Sequence, residues 1–127
     1  MTAPDEGPLL AETVTEAARR YGDRAAFRLT ASARNSTVGE LSYRELDRAT
    51  DEAAVGLVAR GIGQGSVLLL SLPSGTDYAV AYLAAAKVGA TTAGANPRLR
   101  ARERALLVDT VDPDLVLATG PLSDGIP

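Results

Sequence analysis

The run SVLLLSLPSGTDYAVAYLAAAKVGATTAGANPR, residues 66–98, decides the fold. Val67, Leu68, Leu69 and Leu70 are apolar without interruption, the pattern of a strand covered on both faces, and a central parallel strand is the reading. After Pro73, the residues from Thr76 to Val88 are nearly all apolar or small. They make a helix with little surface to give to water, to be covered by its neighbours. Gly89 stops that helix, and Ala90 to Gly94 reads as a second parallel strand reached by a right-handed crossover. Asn96-Pro97 then breaks the chain. Strand, helix and strand in this order predict an α/β protein: an open, mostly parallel sheet with flanking helices.

On the N-terminal side of this run, Gly63-Gln64-Gly65 is a turn into the central strand. Ser42-Tyr43-Arg44-Glu45 has the form of a capping box, and opens a helix running to about Arg60 and Gly61. Leu46, Ala49, Ala53 and Leu57, with Val58 beside them, are its expected buried face. Ala25 to Thr30 and Val38 to Leu41 read as two strands of a peripheral hairpin, joined across the small and polar residues 31–37. Thr13 and Glu16 form a second capping-box pattern, and Leu10, Val14, Ala17 and Tyr21, spaced by four, three and four, make a short amphipathic helix closed by Gly22. Residues 1–12 are expected to be a flexible lead-in.

On the C-terminal side, Arg98, Arg100, Arg102 and Arg104 lead into a helix ending at Asp112-Pro113, with Leu99, Ala105, Leu106 and Val108 as its buried positions. Leu115 to Ala118 is a third strand. Residues 121–127 read as a loop or frayed end, which leaves one α/β unit over residues 13–120.

Composition narrows the chemistry. The 127 residues are 46% hydrophobic and only 4% aromatic, so a single aliphatic core is expected. Cysteine and histidine are both absent, removing disulfides, thiolate chemistry and the commonest general base and metal ligand. A net charge of −3 gives no field favouring nucleic acid. No apolar run reaches the roughly 18 residues of a transmembrane segment, and the acidic start does not resemble a secretory signal. A soluble, cytoplasmic protein is the expectation.

Candidate site residues are few. Gly61, Gly63 and Gly65 precede a strand, the wrong side for a dinucleotide fingerprint, and read as a turn. Ser71, Ser74, Thr76 and Asp77 lie just past the central strand, where open α/β sheets bind ligands, but Ser74 or Thr76 is expected simply to cap the next helix. Tyr78 and Tyr82 read as packing residues. The arginines spaced by two cannot share one helix face. Arg98, directly after Asn96-Pro97 at a strand end, has two readings: a solvated surface charge, or a contact to an anionic ligand such as a phosphate. The carboxylates are scattered, so no acid/base couple is proposed.

LSYREL at Leu41 to Leu46, followed by RGIGQGSVLLLSLPSGTDYAVAYLAAAKVGATTAGANPRL from Arg60 to Leu99, resembles the N-terminal portion of the adenylate-forming, AMP-binding enzymes. Acyl-CoA synthetases are the most similar branch. The resemblance extends from about Thr13 to Gly120, and its specificity lies in the combination of segments. Three positions depart from the family pattern. Ser66 stands where Asp is frequent, Gly94 where Pro is frequent, and Arg100 where a hydroxyl residue commonly caps the next helix.

The resemblance implies that a complete enzyme activates a carboxylic acid with ATP and magnesium to an acyl-adenylate. The acyl group then passes to the thiol of CoA or of a carrier, a chemistry that includes fatty acid metabolism. It also implies that the phosphate loop, the adenine and ribose contacts and the catalytic lysine lie in segments not found in these 127 residues. No catalytic or metal-binding residue is therefore assigned, and the chain alone is expected to be inactive and without a cofactor of its own. Arg98 is the one position that the resemblance singles out, as a contact to the phosphates of CoA. Two alternatives belong to other classes. One is a complementation module that binds a separately made remainder of the enzyme, or associates with itself, through an exposed sheet edge. The other is a non-enzymatic scaffold domain.

Overall fold

A computed structural model of the chain describes residues 9–28 and 40–120. Its elements follow as α1 (Leu10–Tyr21), β1 (Ala25–Arg28), β2 (Glu40–Ser42), α2 (Tyr43–Ala59), β3 (Val67–Ser71), α3 (Thr76–Lys87), β4 (Thr91–Gly94), α4 (Ala101–Val111) and β5 (Leu115–Ala118). β3 is the centre of a three-stranded sheet of order β4-β3-β5. Both pairings are parallel, in register from Val67 opposite Thr91 to Leu70 opposite Gly94, and from Leu68 opposite Leu115 to Ser71 opposite Ala118. β1 and β2 form a separate antiparallel pair. The expected parallel sheet with flanking helices and a peripheral hairpin is the architecture found.

Alternation along β3 explains why its apolar run is unbroken. Leu68 and Leu70, with Leu72 just beyond, join Leu57, Ile62, Ala81, Ala84 and Ala85 in the main hydrophobic cluster. Leu69 and Ser71 point to the opposite face, yet are 0% and 1% exposed. Burying each leucine of this strand is worth about 1.5–3 kcal/mol, so three consecutive ones anchor the sheet. Ala81, Ala84 and Ala85 are the buried positions of α3, and their small side chains let its backbone lie close to the sheet.

The helix stops that the glycines announce are built as hydrogen-bonded caps. At the end of α3, Gly89 takes φ +79° and donates to Ala86, while Ala90 donates back to Ala85 at 2.9 Å. Gly61 and Ile62 repeat the pattern on Val58 and Leu57, and the Ile62 and Leu57 side chains meet in the core. A residue with a Cβ would strain either position. Asp112, with φ 50°, closes α4 as expected.

Several local expectations are corrected. α1 opens at Leu10, a turn before the Thr13–Glu16 pattern. Its Glu12 carboxylate accepts the Leu9 N–H at 3.2 Å, while Thr13 Oγ1 donates to the Leu9 carbonyl and Glu16 pairs with Arg19 at 2.8 Å. Thus Leu10, which heads the apolar series of this helix, is helical, and so are Ala11 and Glu12, which stood in the expected lead-in. Any residue with a Glu three places later can receive that back-bond, so Thr13 was one of several registers. In α2 the buried polar residue is Thr50, whose hydroxyl donates to the Leu46 carbonyl, while Val58 stays 60% exposed. In α4 it is Leu106 that faces water and Arg104 that is buried. Residues 1–8, 29–39 and 121–127, including the expected hairpin turn and terminal loop, lie outside the described residues.

Candidate functional site

Parallel strands converge their C-terminal ends on one edge of the sheet, and that edge is where the fold can place a ligand. The exits of β3 and β4 are fixed together there. The Ala95 N–H donates to the Leu70 carbonyl at 2.8 Å, and Ala95 is buried. The chain then turns through Asn96-Pro97-Arg98-Leu99, closed by the Leu99 N–H on the Asn96 carbonyl at 3.0 Å. Pro97 suits the second position of such a turn, because its ring presets φ. The Asn96 side-chain oxygen accepts the Arg98 N–H at 2.9 Å, so the backbone carrying Arg98 is held from two sides. A third tie comes from α4, where the buried Arg104 guanidinium donates through Nη2 to the Leu99 carbonyl. Arg98 itself is exposed, and its guanidinium makes no ion pair or hydrogen bond with the described residues. The arginine series therefore divides as its spacing required: Arg104 turns inward and braces the turn, and Arg98, Arg100 and Arg102 are exposed.

On the β3 side of the same edge, α3 begins at Thr76 with Gly75 as its cap residue and no side-chain cap. The expectation that Ser74 or Thr76 supplies that cap is not met. The extended backbone at Gly75, φ 160°, places a residue with no side-chain acceptor at the capping position. Asp77 in the first turn still complements the positive end of the helix. Tyr78 is half-buried and packs on the main cluster, whereas Tyr82 is 42% exposed. The Tyr78 hydroxyl reaches the backbone of Gly94 so closely that a Cβ there would lie 2.6 Å from it. Any side chain at position 94, proline included, would meet that oxygen.

The other two departures also have a local account. Ser66 Oγ accepts the Gly63 N–H at 3.0 Å, the acceptor role a short carboxylate could fill, and so ties the turn that enters β3. Arg100 has no oxygen with which to cap α4. The reciprocal half of the box survives, since the Glu103 carboxylate accepts the Arg100 N–H at 2.9 Å.

The ionic cluster that reasoning from sequence missed lies on the helical layer. Lys87, the last residue of α3, is 10% exposed and its Nζ donates to Asp47 Oδ1 at 2.8 Å, Asp51 Oδ1 at 2.7 Å and the Asp47 carbonyl at 3.2 Å. Thr15 Oγ1 on α1 donates to the same Asp47 oxygen at 3.1 Å. Three helices thus meet at one carboxylate oxygen, Asp47 Oδ1. The (i, i+4) spacing of Asp47 and Asp51 was the signal available, but nothing in the sequence pointed it at Lys87. A groove of about 640 Å³ beside this cluster is lined by Glu12, Thr15, Glu16, Arg19, Asp51 and Lys87. Its charged groups are occupied by helix caps and ion pairs, which leaves no free acid and base facing each other. Among the described residues no group of histidines, cysteines or carboxylates could hold a metal ion, and no helix is long and apolar enough to cross a membrane.

Comparison with known proteins converges on one family. The family model described as AMP-binding enzyme matches residues 14–125. The chain is 39% identical over 97 residues to a salicyl-AMP ligase / salicyl-S-ArCP synthetase of Mycobacterium tuberculosis, an alignment covering 76% of this chain and 17% of that protein. It is 40% identical over 57 residues to 4-coumarate–CoA ligase 5 of Oryza sativa subsp. japonica, covering 45% of this chain and 11% of the ligase. The chain spans less than a fifth of the length of these relatives. In fold it resembles the N-terminal domain of FACL13 from Mycobacterium tuberculosis, with a TM-score of 0.82 at 21% identity over 94% of this chain and 30% of that one. It likewise resembles a benzoate CoA ligase from Burkholderia xenovorans LB400, with a TM-score of 0.80 at 19% identity, covering 94% of this chain and 23% of the ligase. With the match covering most of its length, this chain belongs to the AMP-binding enzyme family.

Proposed function

We propose that this chain is the N-terminal subdomain of an acyl- or aryl-acid ligase. The complete enzyme activates a carboxylic acid with ATP to an acyl-adenylate and passes the acyl group to CoA or a carrier thiol. The observation that carries this reading is the family match over residues 14–125. Arg98 is the residue of this chain offered to that chemistry, as a contact to the phosphates of CoA. Its exposed, unengaged guanidinium stands on a braced turn at the strand-end edge of the sheet, and a guanidinium pairs with phosphate oxygens through two parallel hydrogen bonds. Magnesium, in this reading, serves the triphosphate and is held by other segments of the enzyme. The complete enzyme is placed in the cytoplasm.

Two measurements test the proposal. Incubated with ATP, magnesium and a panel of carboxylic acids, the 127-residue chain is expected to release no pyrophosphate, because no free acid and base face each other among the described residues and, in this reading, the phosphate loop belongs to other segments of the enzyme. Aromatic acids lead the panel, since the names of the relatives speak of salicyl, coumarate and benzoate ligases. Turnover by the chain alone would overturn the subdomain reading. For Arg98, NMR titration with CoA is expected to shift its amide and side-chain signals, and titration with pantetheine, which lacks the phosphates, to leave them in place. Equal shifts with both ligands would remove Arg98 from the proposal.

A further inference from the structure

A buried charge at the start of α4 is hard to justify by stability. Arg104 is 4% exposed, whereas Arg98, Arg100 and Arg102 all stand in water. Taking a guanidinium out of water carries a desolvation cost that an apolar side chain of similar length avoids, so its burial is weak evidence of stabilisation. A methionine at this place would keep the stem and the helix propensity. What Arg104 adds is a hold on the chain that precedes the helix. Its Nη2 donates to the Leu99 carbonyl, and its backbone N–H donates to the Arg100 carbonyl at 2.9 Å. Two consecutive carbonyls therefore end on one residue. The other end of the turn is tied to Asn96, whose side-chain oxygen accepts the Arg98 N–H at 2.9 Å and whose carbonyl accepts the Leu99 N–H at 3.0 Å. Asn96 and Arg104 thus close the turn from its two ends, with Arg98 between them.

We infer that Arg104 is the positioning residue for Arg98: it does not touch the phosphate, and its burial gives up stability to order the turn that presents the Arg98 guanidinium. The inference rests on the reading of Arg98 as a phosphate contact. A bidentate pair needs two parallel N–H bonds at once, so a guanidinium carried on a loose turn loses part of its affinity in being ordered. Fixing the turn before the ligand arrives removes that cost. Leu99 is only half-buried, so water can take over its carbonyl when the Arg104 donor is lost, and no orphaned group remains to weaken the fold. The sign of the effect follows. With an apolar residue of similar size in place of Arg104, the fold is as stable or more so, while Arg98 binds phosphate less well. A residue serving only the packing of α4 would show the reverse.

Comparison of Arg104→Met and Arg102→Met with the parent 127-residue chain tests the arrangement. In Arg104→Met the urea midpoint is expected to stay or rise. Amide hydrogen exchange at Leu99 is expected to quicken at least about tenfold, with that at Ala95, which is bonded to β3, unchanged. The Kd for CoA, from NMR titration, is expected to rise at least about fivefold. Arg102→Met removes the same charge from an exposed position in the first turn of α4, and is expected to leave Leu99 exchange alone and to move Kd by less than about twofold. A lower urea midpoint with unchanged Leu99 exchange overturns the inference and makes Arg104 a packing residue; failure of Arg104→Met to fold counts the same way. Equal weakening of CoA binding by both variants also overturns it, since charge alone would do that. A parent chain whose Arg98 signals ignore CoA removes the phosphate reading and the inference with it. Undiminished CoA binding by Arg104→Met, beside a parent that binds, removes the inference alone.

Discussion

At the residue scale, two side chains decide more than their types suggest. Lys87 lies in the stretch that resembles the family pattern, and here it acts as a structural clamp on α1, α2 and α3. Lys87→Met keeps the stem and removes the ammonium, leaving the 21%-exposed Asp47 side chain with Thr15 alone. The expected loss is about 1–3 kcal/mol, seen as a lower urea midpoint with an unchanged slope. Gly94 is set by the Tyr78 hydroxyl. Gly94→Ala is expected to cost about 1–3 kcal/mol by overpacking, because the new methyl would lie 2.6 Å from that oxygen. In a Tyr78→Phe background the nearest remaining ring atom is at 3.8 Å, and the same Gly94→Ala change is expected to be neutral or stabilising by about 0.4–1 kcal/mol through the unfolded chain. A double-mutant cycle in urea reads this change of sign, and additive costs would refute the contact.

At the element scale, α2 shows how a short sequence motif becomes a pH-dependent contribution. The Glu45 carboxyl titrates below its ordinary range, first because it accepts the Ser42 backbone N–H at 3.0 Å, and then through the Ser42 hydroxyl. A carboxyl whose pKa is lower in the folded chain stabilises it fully above the unfolded value, and loses that contribution as pH falls through the folded value. Glu45→Gln is therefore expected to flatten the fall in stability on acidification through the carboxylate range, with little change in slope near neutrality. Thermal melts across a pH series check this, and an unaltered acid limb would count against the box. The Ser42–Glu45 box was legible because its Ser is followed by a helical pattern of apolar residues. The Thr13–Glu16 box had the same letters and failed, since Glu12 competed for the start of α1 one turn earlier. The cap of α3 was misjudged for a different reason: Ser74 and Thr76 flank Gly75, and the backbone path alone decides which of the three occupies the capping position.

At the scale of the molecule, the sheet and its helical layer follow from the pattern of residues 66–98. A run of four apolar residues can form a strand only where both its faces are covered, and an alanine-rich helix between two such strands must lie on the sheet that they share. These are short-range facts of period and side-chain size, so the chain order of the elements, the centrality of β3, the glycine stops and the family resemblance were all readable from the sequence. The sequence also named Arg98 and placed it at a strand end. What required the tertiary structure was every choice between residues of one type. Four arginines at alternate positions look equivalent until α4 packs, and then Arg104 is inside and Arg98 outside. Val58, expected beside the buried face of α2, is exposed, and Thr50 is buried, because the neighbouring helices, and not hydrophobicity alone, define its covered face. The meeting of Lys87 with Asp47 and Asp51, 40 and 36 positions away in the chain, exists only once α2 and α3 are side by side. Periodicity is a property of the chain, whereas partnership between distant side chains is a property of the packed molecule.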